Sequence, residues 1–216
     1  LVRAIIMLGI NTVKNLALSS AVLRNLTSKK DFQALDMDGF WRHSLCVGVA
    51  AKVLAKKRGV DPKQAEEYFT AGLLHDIGKI PINAVLSKEY VMAVSISDRE
   101  RISLHRAEDK IIGMNHAAAG FMIAKAWRLE GAVGDAIANH HAYMDYTGPY
   151  KDVLYSVVLA NRFASVMEIG FSGNRYPEKI DPAVWEYLGL ERDVFDEIEE
   201  VVNQEIEKAK IFLKID

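Results

Sequence analysis

At 216 residues, half of them hydrophobic, the chain can bury one large core, or one core with a smaller lobe beside it. Its formal net charge is −2 and it carries no long basic run, which argues against a nucleic-acid partner. Cys46 is the sole cysteine, so no internal disulfide forms, and a reducing compartment, the cytoplasm, is expected. No apolar stretch reaches the ~18 residues of a membrane span, and no membrane partner is expected.

In chain order the pattern is helical throughout. The apolar opening, Leu1 to Leu8, is too short for a span and lacks a signal-peptide cleavage pattern. Asn11 and Thr12 can cap a helix running to about Leu26, before the polar break Thr27-Ser28-Lys29-Lys30. Asp38 is expected to cap the next helix, which carries Phe40, Trp41, His43, Val47, Ala50, Ala51 and Leu54, with Gly59 just past its end. Asp61-Pro62 opens a helix that ends at His75-Asp76. Farther on, Asn83 and Ser87 are each read as helix starts, and residues 95–98 as a loop.

Asn115 caps a helix from His116 to about Arg128. Gly131 interrupts, and a further helix carries Val133, Ile137, His140 and His141. An apolar helix spans about 152–169. Residues 170–180 read as an exposed loop rich in Gly, Ser and Asn. Asp181-Pro182 repeats the cap-plus-proline start. The last helix places Val194, Phe195, Ile198, Val201, Val202, Ile206, Ala209 and Phe212 at 3.6-residue spacing, and packing within the chain is expected of it. No alternating strand pattern and no internal repeat occurs, so the expected fold class is all-α.

The stretch Gly72-Leu73-Leu74-His75-Asp76-Ile77-Gly78-Lys79-Ile80 offers a metal ion a nitrogen and an oxygen from one short piece of backbone. Gly78 is expected to supply the turn that lets both side chains converge. Of six histidines, five (His43, His75, His116, His140 and His141) fall on apolar helix faces or at helix ends and so point inward. One inward histidine reads as a hydrogen-bonded core residue. Five beside an aspartate read as ligands of a shared metal, because buried imidazoles need partners and bind transition metals well. His105, among Arg101, Arg106, Glu108 and Asp109, reads as a surface residue.

The order His43, His75-Asp76, His116, His140-His141 resembles the HD superfamily of metal-dependent phosphohydrolases. It is closest to the signalling branch called HDOD (HD-related output domain). Ala4-Ile5-Ile6-Met7-Leu8-Gly9, Phe40-Trp41-Arg42-His43-Ser44-Leu45, His116-Ala117-Ala118-Ala119-Gly120 and Ala136-Ile137-Ala138-Asn139-His140-His141 carry that similarity. It implies a compact multi-helix bundle over residues 1–169, with residues 170–216 a C-terminal extension packed on it. It also implies that further helices precede Leu1, and the chain is expected to be a piece of a longer protein.

The resemblance implies roles as well. Asp76 would bridge two divalent transition-metal ions (iron, manganese, zinc or nickel). His43 and His75 would serve one ion, and His116, His140 and His141 the other. Asn161 stands where the family pattern expects a closing aspartate, and its neutral amide is a weak ligand. Lys79 either steadies a phosphate or is solvated at a helix end. The related HD-GYP phosphodiesterases are similar at Gly78-Lys79-Ile80-Pro81, but here Ala142 follows the His doublet and the loop reads Gly148-Pro149-Tyr150.

Three functions follow. On this resemblance the chain is expected to be a bacterial signal-transduction output module with a degenerate metal site and little or no catalytic activity, binding a signalling protein or a nucleotide. Alternatively it is a phosphohydrolase or phosphodiesterase using Asp76 and Lys79 on a nucleotide, or a purely structural interaction domain.

Overall fold

The computed structural model describes residues 34–213, so the helix expected up to Leu26 and the apolar opening lie outside the described residues. Everything regular among the described residues is helical: α1 Met37–Lys57, α2 Ala65–Leu74, α3 Lys79–Val85, α4 Ser87–Glu100, α5 Leu104–Ile112, α6 His116–Ala126, α7 Ala132–Asn139, a 3₁₀ turn Tyr143–Asp145, α8 Lys151–Val166, α9 Pro182–Leu188 and α10 Val194–Leu213.

Helix α1 begins two residues earlier than Asp38 would have it. The extended Asp36 is the cap, its carboxylate accepting from the N–H groups of Asp38 and Gly39 at 3.3 and 2.9 Å. Asp38 instead adds negative charge to the first turn, where the helix dipole favours it. Gly59 does follow the end of α1, at φ +82°. Asp61 caps a lead-in turn by accepting from Lys63 N–H at 2.8 Å, and α2 proper starts at Ala65.

Helices α1 and α2 cross at two glycines. A Cβ on Gly48 would lie 2.8 Å from Phe69 O, and one on Gly72 would lie 2.7 Å from Val47 O. Only two bare backbones approach this closely, and the crossing brings the end of α2 beside the middle of α1. Helix α8 packs against α1, α2 and α7, so Phe40, Leu45, Leu54, Leu74, Ile137, Leu154, Leu159 and Phe163 form one core.

Two expectations in the middle of the chain are corrected. Residues 95–98 belong to α4, whose buried Tyr90, Ala93 and Ser97 follow helical spacing, and the helix stops only at the left-handed Arg101. Asn83 does not start a helix: it is fully buried inside α3.

Helix α10 packs on α1 through Val194, Phe195, Ile198, Val202 and Ile206, while Val201 is turned 48 % to solvent. The side chains of Ala209 and Phe212 lie outside the described residues. No helix among the described residues is long and apolar enough to cross a membrane.

Candidate metal centre

Six elements aim histidines, carboxylates and a lysine at one buried point. His43 projects from the middle of α1, His75 caps α2, and Asp76 lies in the turn that follows. His116 is the first residue of α6, fixed by Asn115, whose side chain accepts from Ala118 N–H. His140 caps α7 and His141 follows it, while Asn161 comes from α8.

The turn at the His-Asp doublet is made differently from expectation. Gly78 is not left-handed; at φ −66° and ψ −19° it continues a tight right-handed turn. Its role is spatial, because a Cβ there would lie 2.0 Å from His116 O and 2.5 Å from Gly120 N. The missing side chain lets the start of α6 press against the doublet.

All the expected ligands converge. His43, His75 and Asp76 offer donor atoms within 4.8 Å of one another, and so do His116, His140 and His141. Asp76 joins the two trios: Oδ2 lies 3.3 Å from His75 Nε2, while Oδ1 lies 3.1 Å from His116 Nε2 and 3.6 Å from His140 Nε2. Asn161 Oδ1 stands 3.1 Å from His43 Nε2. His43, His75, Asp76, His116 and His140 are all at most 4 % exposed.

Hydrogen bonds on the far side of three rings set which nitrogen carries the proton. His75 Nδ1 is 2.6 Å from Gly72 O, and His140 Nδ1 is 3.0 Å from Ile137 O. A carbonyl only accepts, so Nδ1–H donates and Nε2 keeps a lone pair facing the cluster. Glu108 does the same for His116: its Oε2 accepts from the ring Nδ1–H at 2.6 Å and from the backbone N–H at 2.8 Å. His116 Nε2 therefore faces His140 Nε2 at 3.3 Å and His141 Nε2 at 2.9 Å. His75 Nε2, fully buried, makes no hydrogen bond among the described residues.

A cation placed among the Nε2 atoms of His116, His140 and His141 and Asp76 Oδ1 would be reached by all four atoms. The donor set thus fits a transition-metal ion, for which neutral imidazole and carboxylate are suitable ligands.

Charge supports the same reading. Burial, then the nearby His75, pushes His43 down to about 3, and burial pushes His140 down to about 4. Burial also holds His141 well below its usual value. These rings are neutral at pH 7. Burial would raise Asp76, but His75, Lys79 and His116 outweigh it and hold the carboxylate well below its usual range. For His116 burial is outweighed by the Glu108 carboxylate, which lifts it above the usual value.

Several residues of the site carry no sequence motif. Glu108 is fully buried, and Tyr90 beside it has its phenol pushed well above the usual value by burial and by that carboxylate. The available signal was helical spacing, since Leu104, Ala107 and Glu108 share the buried face of α5. His105 is corrected by the same logic. It is 8 % exposed and stacks on His141 with ring centroids 3.9 Å apart, burial pushing it down to about 3. Lys79 is not solvated either: it is 2 % exposed, and its Nζ donates to Asp76 Oδ2 at 2.6 Å and to Ser172 O and Oγ at 3.1 and 3.2 Å.

Ser172 belongs to residues 170–180, which form a strap over the site and not a freely exposed loop. Phe171 N–H donates to Gly39 O at 2.8 Å, Asn174 Oδ1 accepts from Leu104 N–H at 3.2 Å, and Glu178 pairs with Arg106 at 2.6 Å. Between strap and α8 a cleft of about 390 Å³ reaches His43, walled by Arg162, Ser165 and Arg175.

The HDOD domain family model matches residues 1–143. Among solved structures, an HDOD domain protein with unknown function from Geobacter sulfurreducens is 26 % identical; the match covers 98 % of this chain and 71 % of that one, with a TM-score of 0.68. A chain named "Putative phosphohydrolase" from Shewanella amazonensis SB2B is 20 % identical, with 96 % and 74 % covered and a TM-score of 0.67. A chain named "Putative signal transduction protein" from Marinobacter aquaeolei VT8 is 21 % identical, with 96 % and 45 % covered and a TM-score of 0.75. No curated protein matches.

Proposed function

The chain belongs to the HDOD family, and we propose that it is a regulatory module of bacterial signal transduction whose histidine-aspartate centre binds a divalent transition metal but hydrolyses phosphoesters little or not at all. The name of the Marinobacter chain supports the signalling role, and that of the Shewanella chain the phosphohydrolase ancestry of the site. We further infer a cytoplasmic setting, a signalling protein as partner, and a nucleotide phosphate as the small ligand nearest the cleft at Arg162 and Arg175.

One observation carries the reading. The position where the HD pattern calls for a closing carboxylate holds Asn161, whose amide oxygen stands 3.1 Å from His43 Nε2. A bound divalent ion would supply Lewis acidity and an acidified water. The residues of the His43 side bring little negative charge to hold it: two imidazoles, an amide, and one oxygen of Asp76 already bonded to Lys79. Lys79 in turn is committed to Asp76 and Ser172, not held ready for a phosphate.

The test is elemental analysis of protein purified without chelator, beside hydrolysis of bis(p-nitrophenyl) phosphate under added Mn²⁺, Zn²⁺, Ni²⁺ or Fe²⁺. The expected result is metal in the parent chain, none in Asp76→Ala, and the same background hydrolysis in both. Metal-dependent turnover that vanishes in Asp76→Ala would make the protein an enzyme. Absence of metal from both, with equal folding, would leave a structural interaction domain.

A further inference from the structure

The two trios around Asp76 are unequal, and we propose that the centre takes one divalent ion, held by His116, His140, His141 and Asp76 Oδ1, while the Lys79 ammonium serves as a built-in cation where a second metal would stand. This inference rests on the metal-binding reading above and deepens it.

The first half is built to ligand spacing. Metal–nitrogen bonds of about 2.0–2.1 Å in a tetrahedron put neighbouring donor atoms roughly 3.3 Å apart. The observed separations are 2.9 Å for His116 and His141, 3.3 Å for His116 and His140, 3.1 Å for His116 and Asp76 Oδ1, and 3.6 Å for His140 and Asp76 Oδ1. Glu108 backs His116 from behind, orienting the ring and making its free nitrogen a stronger donor.

The second half already has its cation. Lys79 Nζ lies 2.6 Å from Asp76 Oδ2, and its three protons are matched by that oxygen and the two oxygen atoms of Ser172. At 2 % exposure the ammonium is buried, held by those three contacts. A metal ion on the same Oδ2, at a bond length of about 2.0–2.2 Å, would stand within about 5 Å of Nζ. Two cations that close, away from water, repel strongly.

Formal charge decides the stoichiometry. Asp76, Glu108 and Lys79 are the buried charged groups of the centre, and together they leave one negative charge. One divalent ion takes that to one positive charge, which the polar surroundings can carry. Two would take it to three positive charges. Asn161, neutral at the edge of the His43 trio, does nothing to offset them.

The experiment is equilibrium loading of the full chain with Mn²⁺ or Zn²⁺, counted by elemental analysis after removal of free ion, with the Mn²⁺ form also examined by electron paramagnetic resonance. The expected result is one ion per chain and an isolated Mn²⁺ signal. Two ions per chain, or a spin-coupled Mn²⁺ pair, overturns the proposal while leaving the metal-binding reading intact. No ion at all overturns both. Lys79→Met, which removes the ammonium with little change in volume, is expected to raise the count from one to two, and Lys79→Arg to leave it at one. A natively folded Lys79→Met chain that still takes one ion would show that Lys79 is not the block. Should Lys79→Met fail to fold, the resonance signal of the parent chain still decides between one ion and a pair.

Discussion

Replacing Gly78 by alanine tests whether the centre depends on a backbone contact that no ligand residue makes. The substitution is conformationally neutral, since φ −66° and ψ −19° suit any residue. Sterically it is severe: the new methyl would sit 2.0 Å from His116 O and 2.5 Å from Gly120 N, where ordinary contact begins at 3.4 Å. Both neighbours are backbone, so α6 must withdraw by more than an ångström. Overpacking of this kind costs about 1–3 kcal/mol and sometimes more, and a double backbone clash belongs at the upper end. Alanine's stiffer unfolded chain returns about 0.4–1 kcal/mol, leaving a loss of about 2 kcal/mol. With a urea slope of about 2–3 kcal/mol per molar, the midpoint of metal-free protein followed by circular dichroism should fall by roughly 0.7–1 M. Withdrawal of α6 also lengthens the 3.1 Å approach of His116 Nε2 to Asp76, so zinc affinity should fall in the same variant. A midpoint within about 0.2 M of the parent, with zinc affinity unchanged, would refute the idea that Gly78 is required for space.

Two further outcomes are expected. Glu108→Gln keeps the volume but loses the charge behind His116, and should weaken zinc binding about 10–100-fold with an unchanged helical spectrum; competition with a chromogenic chelator measures it, and a change under about threefold sinks the assignment. Metal-free protein should also be labile to mild acid. His43, His105, His140 and His141 have lowered values in the folded chain, so as pH falls below about 6.5 the unfolded chain takes up protons that the native one refuses. His116, raised, acts in a different window: its contribution is lost as pH rises through its folded value and is constant below about 6.5, so it does not offset the four there. Asp76, held low, adds a further loss once pH falls below about 4. Stability should therefore decline from pH 6.5 toward 4, by up to about 1.4 kcal/mol per pH unit for each net proton. A urea midpoint that stays flat from pH 7 to pH 5 would contradict this.

The helix order and the convergence of the inward histidines were legible because both rest on local rules. Asn115 and Asp181 cap where their side chains predict, and the inward histidines follow from spacing on apolar faces. Errors arose where a local cue met a tertiary one. Residues 95–98, Ser-Ile-Ser-Asp, have the composition of a loop, yet burial of Ser97 and its bond to Ile102 O at 2.7 Å carry α4 through them. His105 has charged neighbours in sequence, but Arg101 precedes the helix, and helical geometry turns Arg106 and Asp109 away from the face that His105 shares with Leu104 and Glu108. Glu108 itself was invisible as a partner of His116, because an acid eight residues upstream signals nothing until α5 and α6 are packed together.

The strap could not have been read at all. Its composition says loop, and only the fold shows that Ser172 completes the coordination of the Lys79 ammonium, ninety-three residues earlier in the chain. That bond ties three features of the centre into one. Asp76 can give Oδ1 to the His116 trio because Lys79 neutralises Oδ2; Lys79 stays on Oδ2 because the strap supplies its remaining acceptors; and the strap is seated by the bond from Phe171 N–H to Gly39 O on α1, one turn before His43. Anything that lifts the strap would therefore free Lys79 and change the charge of the centre together with access to it. A ligand entering at Arg162 and Arg175 meets the strap directly. Under the proposed function, a ligand in the cleft would act on the charge of the metal centre through Ser172, which both lines the cleft and holds Lys79.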